Sequence, residues 1–369
     1  MIATTVPYTF VDNRVVIECK IDGKGPYAFV LDTGSSTTVI APGVARALAL
    51  RTAPAGQTTG AGNGSAAMSS TSLARLDIGD FSFANVATAV LDLSEIKNNI
   101  GFERFDGVIG YPTLAHLYTK IDADRHTVTF SHAPIAVPPT ATNVPFTFDT
   151  NFLVRIPATI GGIAGTVIVD TGDRSSLTLF RPFARRNHFY DTSPSLANVL
   201  TGFGIGGPVY GDVFRLPSFE VLGANLSYTV TRASRQAAGL FATGTESGSI
   251  GGGVLRHFDI VYDYPHRVMR AWPSSVAGTR DPYDRSGMWL SREGSSVVVR
   301  YVAKGGPADS GGVVAGVTVV AMNGRPVVGD DITGMRRYLA TSPPGTHVRL
   351  RTSRGGAMAT RTIVLRELL

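Results

Sequence analysis

Apolar positions in this chain come in short runs and alternations, seldom at the spacing of an amphipathic helix. The run Val15-Val16-Ile17-Glu18-Cys19 alternates as a half-buried strand does, and Val297-Val298-Val299 opens another strand-like stretch far downstream. Two apolar runs end alike. Ala28-Phe29-Val30-Leu31 leads into Asp32-Thr33-Gly34, and Val167-Ile168-Val169 leads into Asp170-Thr171-Gly172. Abundant glycine and scarce helical patterning predict a mostly β chain.

The similarity extends beyond the triplets. Each is followed at a distance by a strand ending in Ile-Gly, Phe105-Asp106-Gly107-Val108-Ile109-Gly110 in one case and Gly248-Ser249-Ile250-Gly251 in the other. A short helix and a further strand pair are predicted after each. These pairs are Thr119–Asp122 with Thr127–Phe130, and Asp259–Tyr262 with Val268–Trp272. One order of elements occurring twice predicts an internal duplication. Pro134, Pro138, Pro139 and Pro145 mark a linker between the copies, because proline is poor in sheet interiors. A second Pro-bounded stretch runs from Pro273 to Pro282. The expected modules are 1–133, 147–273 and 285–369, joined by linkers at 134–146 and 274–284.

The last module has its own pattern. Asn323-Gly324 between apolar runs predicts a hairpin turn. Asp330-Asp331 precede a short helix at Met335–Leu339, which Pro343-Pro344-Gly345 stops, and strands are predicted near 348–352 and 360–365. This is a small α+β unit.

A strand that delivers a carboxylate into a glycine-permitted turn aims that carboxylate. Two such strands suggest two carboxylates facing one cleft, an arrangement suited to activating a water. At this point the chain resembles the aspartic peptidases of the pepsin and retropepsin superfamily, over about residues 8–272, and most of all a bacterial single-chain retropepsin-like enzyme. The resemblance rests on both Asp-Thr-Gly triplets and on Ile109-Gly110 and Ile250-Gly251 in matching order. It implies a bilobal double-psi β fold and an aspartic-type endopeptidase with Asp32 and Asp170 as the catalytic pair. Thr33 and Thr171 would bond across to the opposite loop, and Gly34 and Gly172 would let the loops approach. No metal or other cofactor is implied. Ser35 is expected to donate to Asp32 and favour its charged form, while Asp173 adds negative charge beside Asp170 and favours its protonated form. Arg174 could neutralise Asp173, or Asp173 could line the cleft and select basic side chains.

The resemblance also implies a flap hairpin over the substrate. Two glycine-rich stretches qualify, one around Gly60, Ala61, Gly62 and Asn63, the other around Phe203, Gly204, Ile205 and Gly206. Neither holds the tyrosine of pepsin-like flaps. Gly202, Gly204 and Gly207 also spell a dinucleotide-binding fingerprint, but Pro208 stands where the helix should begin. The last module resembles a bacterial-type PDZ domain through Gly306-Pro307-Ala308 and Met322-Asn323-Gly324. That implies docking of a peptide C-terminus, with Gly287, Met288, Trp289 and Leu290 as the carboxylate-binding loop. Trp289 stands where a second glycine is common. Peptide or protein substrates are the expected partners; a non-catalytic or latent peptide-binding scaffold is the alternative.

Charge and cysteine usage add little. The net charge is +6, and from Arg285 onward there are twelve Lys/Arg and five Asp/Glu, so the basic excess lies in the last module. Cys19 is the only cysteine, so no internal disulfide can form. No transmembrane run, metal-ligand histidine spacing, serine nucleophile elbow, phosphate loop or aromatic-basic stripe for nucleic acid is evident. An exported, periplasmic protein with its leader removed is expected, and a cytoplasmic location stays open.

Overall fold

The computed structural model describes residues 2–102, 104–191 and 195–369. Among these residues the strands form sheets of thirteen, eight and six members. Ala28–Leu31 and Val167–Val169 are buried throughout, and their runs are continuously apolar rather than alternating. That pattern suits strands covered on both faces, which parallel pairing requires. Val30 and Leu31 pair in parallel with Val108 and Ile109, and Ile168 and Val169 with Ser249 and Ile250. In each copy the second strand is also flanked by an antiparallel neighbour, Thr38–Ile40 in one and Leu177–Leu179 in the other. The duplication is therefore structural.

The two lobes join through one shared sheet. Tyr118–Asp122 pairs antiparallel with Phe258–Asp263, Ile121 opposite Ile260, Lys120 opposite Val261 and Thr119 opposite Tyr262. Both strands end in an aspartate before a hairpin turn whose fourth residue, His126 or Arg267, is left-handed at φ 51° or 56°. Aligned on those aspartates, Thr119 corresponds to Ile260 and Ile121 to Tyr262. The pairing is thus reciprocal, as an approximate two-fold axis at Lys120 and Val261 requires. One core runs through both lobes around Ile17, Phe29, Phe130, Ile156, Phe219 and Tyr262.

Both expected linkers are more structured than their composition indicates. Thr142–Pro145, within 134–146, is a strand paired with Val268–Ala271 at the sheet's outer edge. An edge tolerates the missing N–H of Pro145, so proline density marked a sheet margin there. Within 274–284, the Asp281 side chain is 9% exposed and accepts hydrogen bonds from Ser176, Arg256 and His257, which tie the stretch to the second lobe.

The last module is the six-stranded sheet with a helix at Ile332–Thr341, around a separate core that includes Leu290, Val299, Val319, Met335 and Ile363. The turn at Asn323-Gly324 has φ of 51° and 81°, as a two-residue hairpin turn demands. Strand Met288–Glu293 forms one edge of this sheet.

Candidate active site

Asp32 and Asp170 stand at the ends of the two buried parallel strands. Each backbone N–H is fixed by the neighbouring strand, Asp32 to the Ile109 carbonyl and Asp170 to the Ile250 carbonyl, both at 2.9 Å. The loops that follow bind one another. Thr33 N donates to Thr171 Oγ1 at 3.0 Å, and Thr171 N donates to Thr33 Oγ1 at 3.2 Å. The hydroxyls then donate onward, Thr33 to the Val169 carbonyl at 2.7 Å and Thr171 to the Leu31 carbonyl at 2.6 Å. All four groups are buried and satisfied, which fixes the loop separation.

Glycine is required in both loops by close approach. A Cβ on Gly34 would lie 2.4 Å from Asp170 Cγ, and one on Gly172 would lie 2.4 Å from Asp32 Cγ. Each carboxyl therefore sits on the other loop's glycine. Gly34 N donates to Asp32 Oδ1 at 2.8 Å, while Gly172 N and Asp173 N both donate to Asp170 Oδ1 at 2.9 Å. The two carboxyls are close enough to act on each other's titration, with Asp170 on the donor side. Burial, then the charges of Asp32 and Asp173, push Asp170 well above the usual aspartate range. Burial raises Asp32 too, but its hydrogen bond from Asp170 offsets part of the rise. Of the two, Asp170 is the more strongly favoured in its protonated form.

Two expectations about the flanking residues are corrected. Ser35 Oγ donates to the Thr37 carbonyl at 2.7 Å, because its loop curls back on itself, and so it does not donate to Asp32. Asp173 is buried and paired with Arg232 at 2.8 Å, so it is no recognition group for basic substrate side chains. Arg174, expected as its neutraliser, instead binds Asp12 at 2.9 Å. Burial opposes the charge of Asp173, but Arg232 and the Ser175 amide hold its carboxyl below the usual range.

The turn at Asp12–Arg14 supports the second loop and was not singled out from sequence. Arg14 Nε donates to the Gly172 carbonyl at 2.7 Å and Asn13 Nδ2 to the Arg174 carbonyl at 2.7 Å. Asp12 gathers Arg14 at 2.7 Å, Arg174 at 2.9 Å and Arg336 of the last module at 3.6 Å. The local signal was a turn-forming Asp-Asn pair, both left-handed here, and it carries no hint of partners so distant in sequence.

Both glycine-rich stretches are hairpin tips, and they meet. Gly62 N donates to the Ile205 carbonyl and Gly64 N to the Gly206 carbonyl, both at 2.9 Å. The first tip is also held by the segment at 236–240. Gln236 Nε2 donates to the Ala61 carbonyl, Ala237 N donates to Asn63 Oδ1, and Leu240 N donates to the Gly60 carbonyl. A Cβ on Gly62 would lie 2.2 Å from the Gly206 backbone carbon, so the contact needs glycine on both sides. Gly204 closes the second tip opposite Gly207. Phe203 was expected at that tip but turns away, and its ring lies 5.9 Å from Trp289.

The Gly287–Leu290 loop differs from an open carboxylate-binding loop. The amides of Ser286 and Gly287 already donate to the Asp284 carboxylate, at 3.1 and 2.6 Å. Met288 is buried in the module's core. Trp289 Nε1 donates to Asn99 Oδ1 of the first lobe at 2.8 Å, and the Leu290 carbonyl accepts Arg336 Nη2 at 2.6 Å. Among the described residues, no group of three or more His, Cys, Asp or Glu is placed to hold a metal ion, and no helix is long and apolar enough to cross a membrane.

Residues 17–113 match the family model for aspartyl protease, and residues 298–354 match that for a PDZ domain. No curated protein matches the chain. Among solved structures, the crystal structure of aspartic proteinase from Irpex lacteus is similar at 14% identity and a TM-score of 0.48, over 76% of this chain and 99% of that one. The chain thus joins an aspartyl protease domain to a C-terminal PDZ domain.

Proposed function

We propose that the protein is an aspartic endopeptidase in which Asp32 and Asp170 activate a water against a peptide bond. The observation that carries this reading is the pair of facing carboxyls, each seated on the opposite loop's glycine, with the two loops fixed by reciprocal threonine bonds. Charged Asp32 takes a proton from water as its oxygen attacks the carbonyl carbon, and Asp170 gives its proton to the carbonyl oxygen. The resulting gem-diol returns a hydroxyl proton to Asp170 as the C–N bond breaks, and Asp32 passes its proton to the leaving nitrogen. Extended, largely apolar peptides are the expected substrates. The test is cleavage of a diverse peptide pool across pH. Activity should fall on the acid side as Asp32 is protonated and on the alkaline side as Asp170 loses its proton. Both groups lie above the ordinary 3.8, so both limbs should lie above that value. A profile flat across both limbs would count against a shared proton.

A latent form of this enzyme is a second reading, favoured by the closed tips. Access would then require breaking the bonds of Gly62 and Gly64 to the opposite tip. Gly62→Ala should part them, raising amide exchange at Gly64 by about tenfold or more and raising kcat/KM with it. Faster exchange with unchanged kcat/KM would show that the tips do not limit access.

A further inference from the structure

A cavity of about 270 Å3 in the second lobe is lined by Arg181, Arg185, Tyr190 and Arg235, and by none of the residues that hold the carboxyl pair. It is smaller than the ~300–1,000 Å3 of a drug-sized ligand site, which suits a small ion. Arg181 and Arg185 lie on one face of the helix Arg181–Arg186, because residues four apart stand one above the other. Arg235 directly follows the strand Ala224–Ser234, and its guanidinium lies over the Tyr190 ring at 4.1 Å from the centroid.

The charges of these arginines are unequally met. Arg235 is neutralised by the buried Asp212, through Nε at 2.9 Å and Nη2 at 2.6 Å. Asp191, the other acid that acts on Arg235, is exposed and paired with His188 at 3.0 Å. Arg181 donates to the Gln236 carbonyl at 3.0 Å and meets no carboxylate among the described residues. Arg185 is exposed, and among the described residues its side chain has no hydrogen bond or ion pair. Two like charges therefore stand four residues apart on one helix face, where they repel.

We infer that this cavity is a site for a small phosphate-type dianion, held by Arg181 and Arg185 with the remaining N–H groups of Arg235, and that its occupant steadies the segment fastening both hairpins. The two guanidinium charges without a carboxylate match a phosphate dianion, and their forked N–H groups match its oxygens. A single carboxylate would leave one of them unmet. Burial raises the Tyr190 hydroxyl above its usual range, while Arg235, Arg181 and Arg185 oppose that rise, so all three arginines act on one point. The link to the hairpins is Gln236, which is fully buried. Its Nε2 donates to the Ala61 carbonyl of the first tip at 3.3 Å and to the Pro208 carbonyl of the second hairpin at 3.1 Å, and its Oε1 accepts the Tyr210 N–H at 3.0 Å. Arg181 holds the carbonyl of this same residue, and Arg235 is its chain neighbour.

The test is calorimetric titration of the full chain with inorganic phosphate at about pH 8, where the dianion dominates, with ionic strength held constant by sodium chloride and acetate run in parallel. Phosphate should saturate, and acetate should bind at least about tenfold more weakly, since one hydrogen bond to a charged group is worth that factor. Arg185→Gln removes an exposed side chain with no partner, so the fold should persist while phosphate binding weakens by about tenfold or more. Arg185→Lys should keep part of the affinity. Phenyl phosphate separates an esterified phosphoryl group from the free ion, and saturable binding of either supports the site. With phosphate bound, hydrogen exchange at the Ala237 and Ala238 amides, which donate to Asn63 Oδ1, should slow by about threefold or more. No saturation, equal binding of phosphate and acetate, or phosphate binding unchanged in Arg185→Gln would overturn the site. Unchanged exchange at both amides in the saturated protein would overturn its action on the hairpins. Neither readout requires turnover, so both stand whether or not the chain cleaves peptides.

Discussion

Asp32→Asn and Asp170→Asn are each expected to lower peptide cleavage by on the order of 10^3-fold or more, since each removes a proton-transfer partner. The fold should survive. Asparagine keeps an oxygen for the Gly34 amide in one case and for the Gly172 and Asp173 amides in the other. Its amide nitrogen can donate to the facing carboxylate as a shared proton would. Asp170→Asn should also alter stability in a distinctive way. In the folded state Asp170 is raised well above 3.8, so the folded chain holds a proton that the unfolded chain releases. Wild-type stability therefore falls as pH rises from about 3.8 through the raised value, and the variant lacks that decline. Melting temperatures of both proteins across this range, beside kcat/KM, separate the outcomes. An Asn variant that cleaves at the wild-type rate would end the proposal, and parallel melting curves would remove the shared proton.

Arg232→Met is expected to be the most destabilising of the charge substitutions near the site. It leaves Asp173 buried without its 2.8 Å partner, and losing one member of a buried pair costs about 3–5 kcal/mol. For a unit of this size that is a fall of on the order of 10 °C in Tm. The double variant Asp173→Asn, Arg232→Met should recover most of the loss, because neither member of the pair is then left as an unpartnered buried charge. The pH dependence runs opposite to that of Asp170. Asp173 is held below 3.8 in the folded state, so its contribution is present above that value and is lost as pH falls toward its lowered value. Arg232→Met should flatten this acid limb. Thermal unfolding of the single and double variants decides the matter, and a double variant no more stable than the single would show that the pair is not the cause. Arg232 also lies over the Phe241 ring at 4.9 Å, so a small loss from that contact should persist in the double variant.

Much of the fold was legible because its signals are local. The buried runs at Ala28–Leu31 and Val167–Val169, the Ile-Gly strand ends and the Asn323-Gly324 turn follow from side-chain patterning and backbone sterics within a few residues. The linkers were read less well for the same reason. Proline at 145 is compatible with a loop or a sheet edge, and only the pairing with Val268 distinguishes them. Ser35 was misread because a hydroxyl beside a carboxylate has several acceptors in reach, and the loop's curl presents the Thr37 carbonyl.

The sequence by itself determined the duplicated order of elements and two carboxylates on glycine turns. A strand followed by a tight turn is favoured by the residues that form it, wherever the rest of the chain lies. Only the tertiary structure decided which charges meet. Asp12 binds Arg174, Asp173 binds Arg232 rather than its neighbour, Asp284 fills the loop of its own PDZ domain, and the hairpin tips close on each other. Such pairings depend on how lobes and module pack, since a buried charge takes whichever opposite charge or amide the packing brings within reach, and sequence separation sets no limit on that choice.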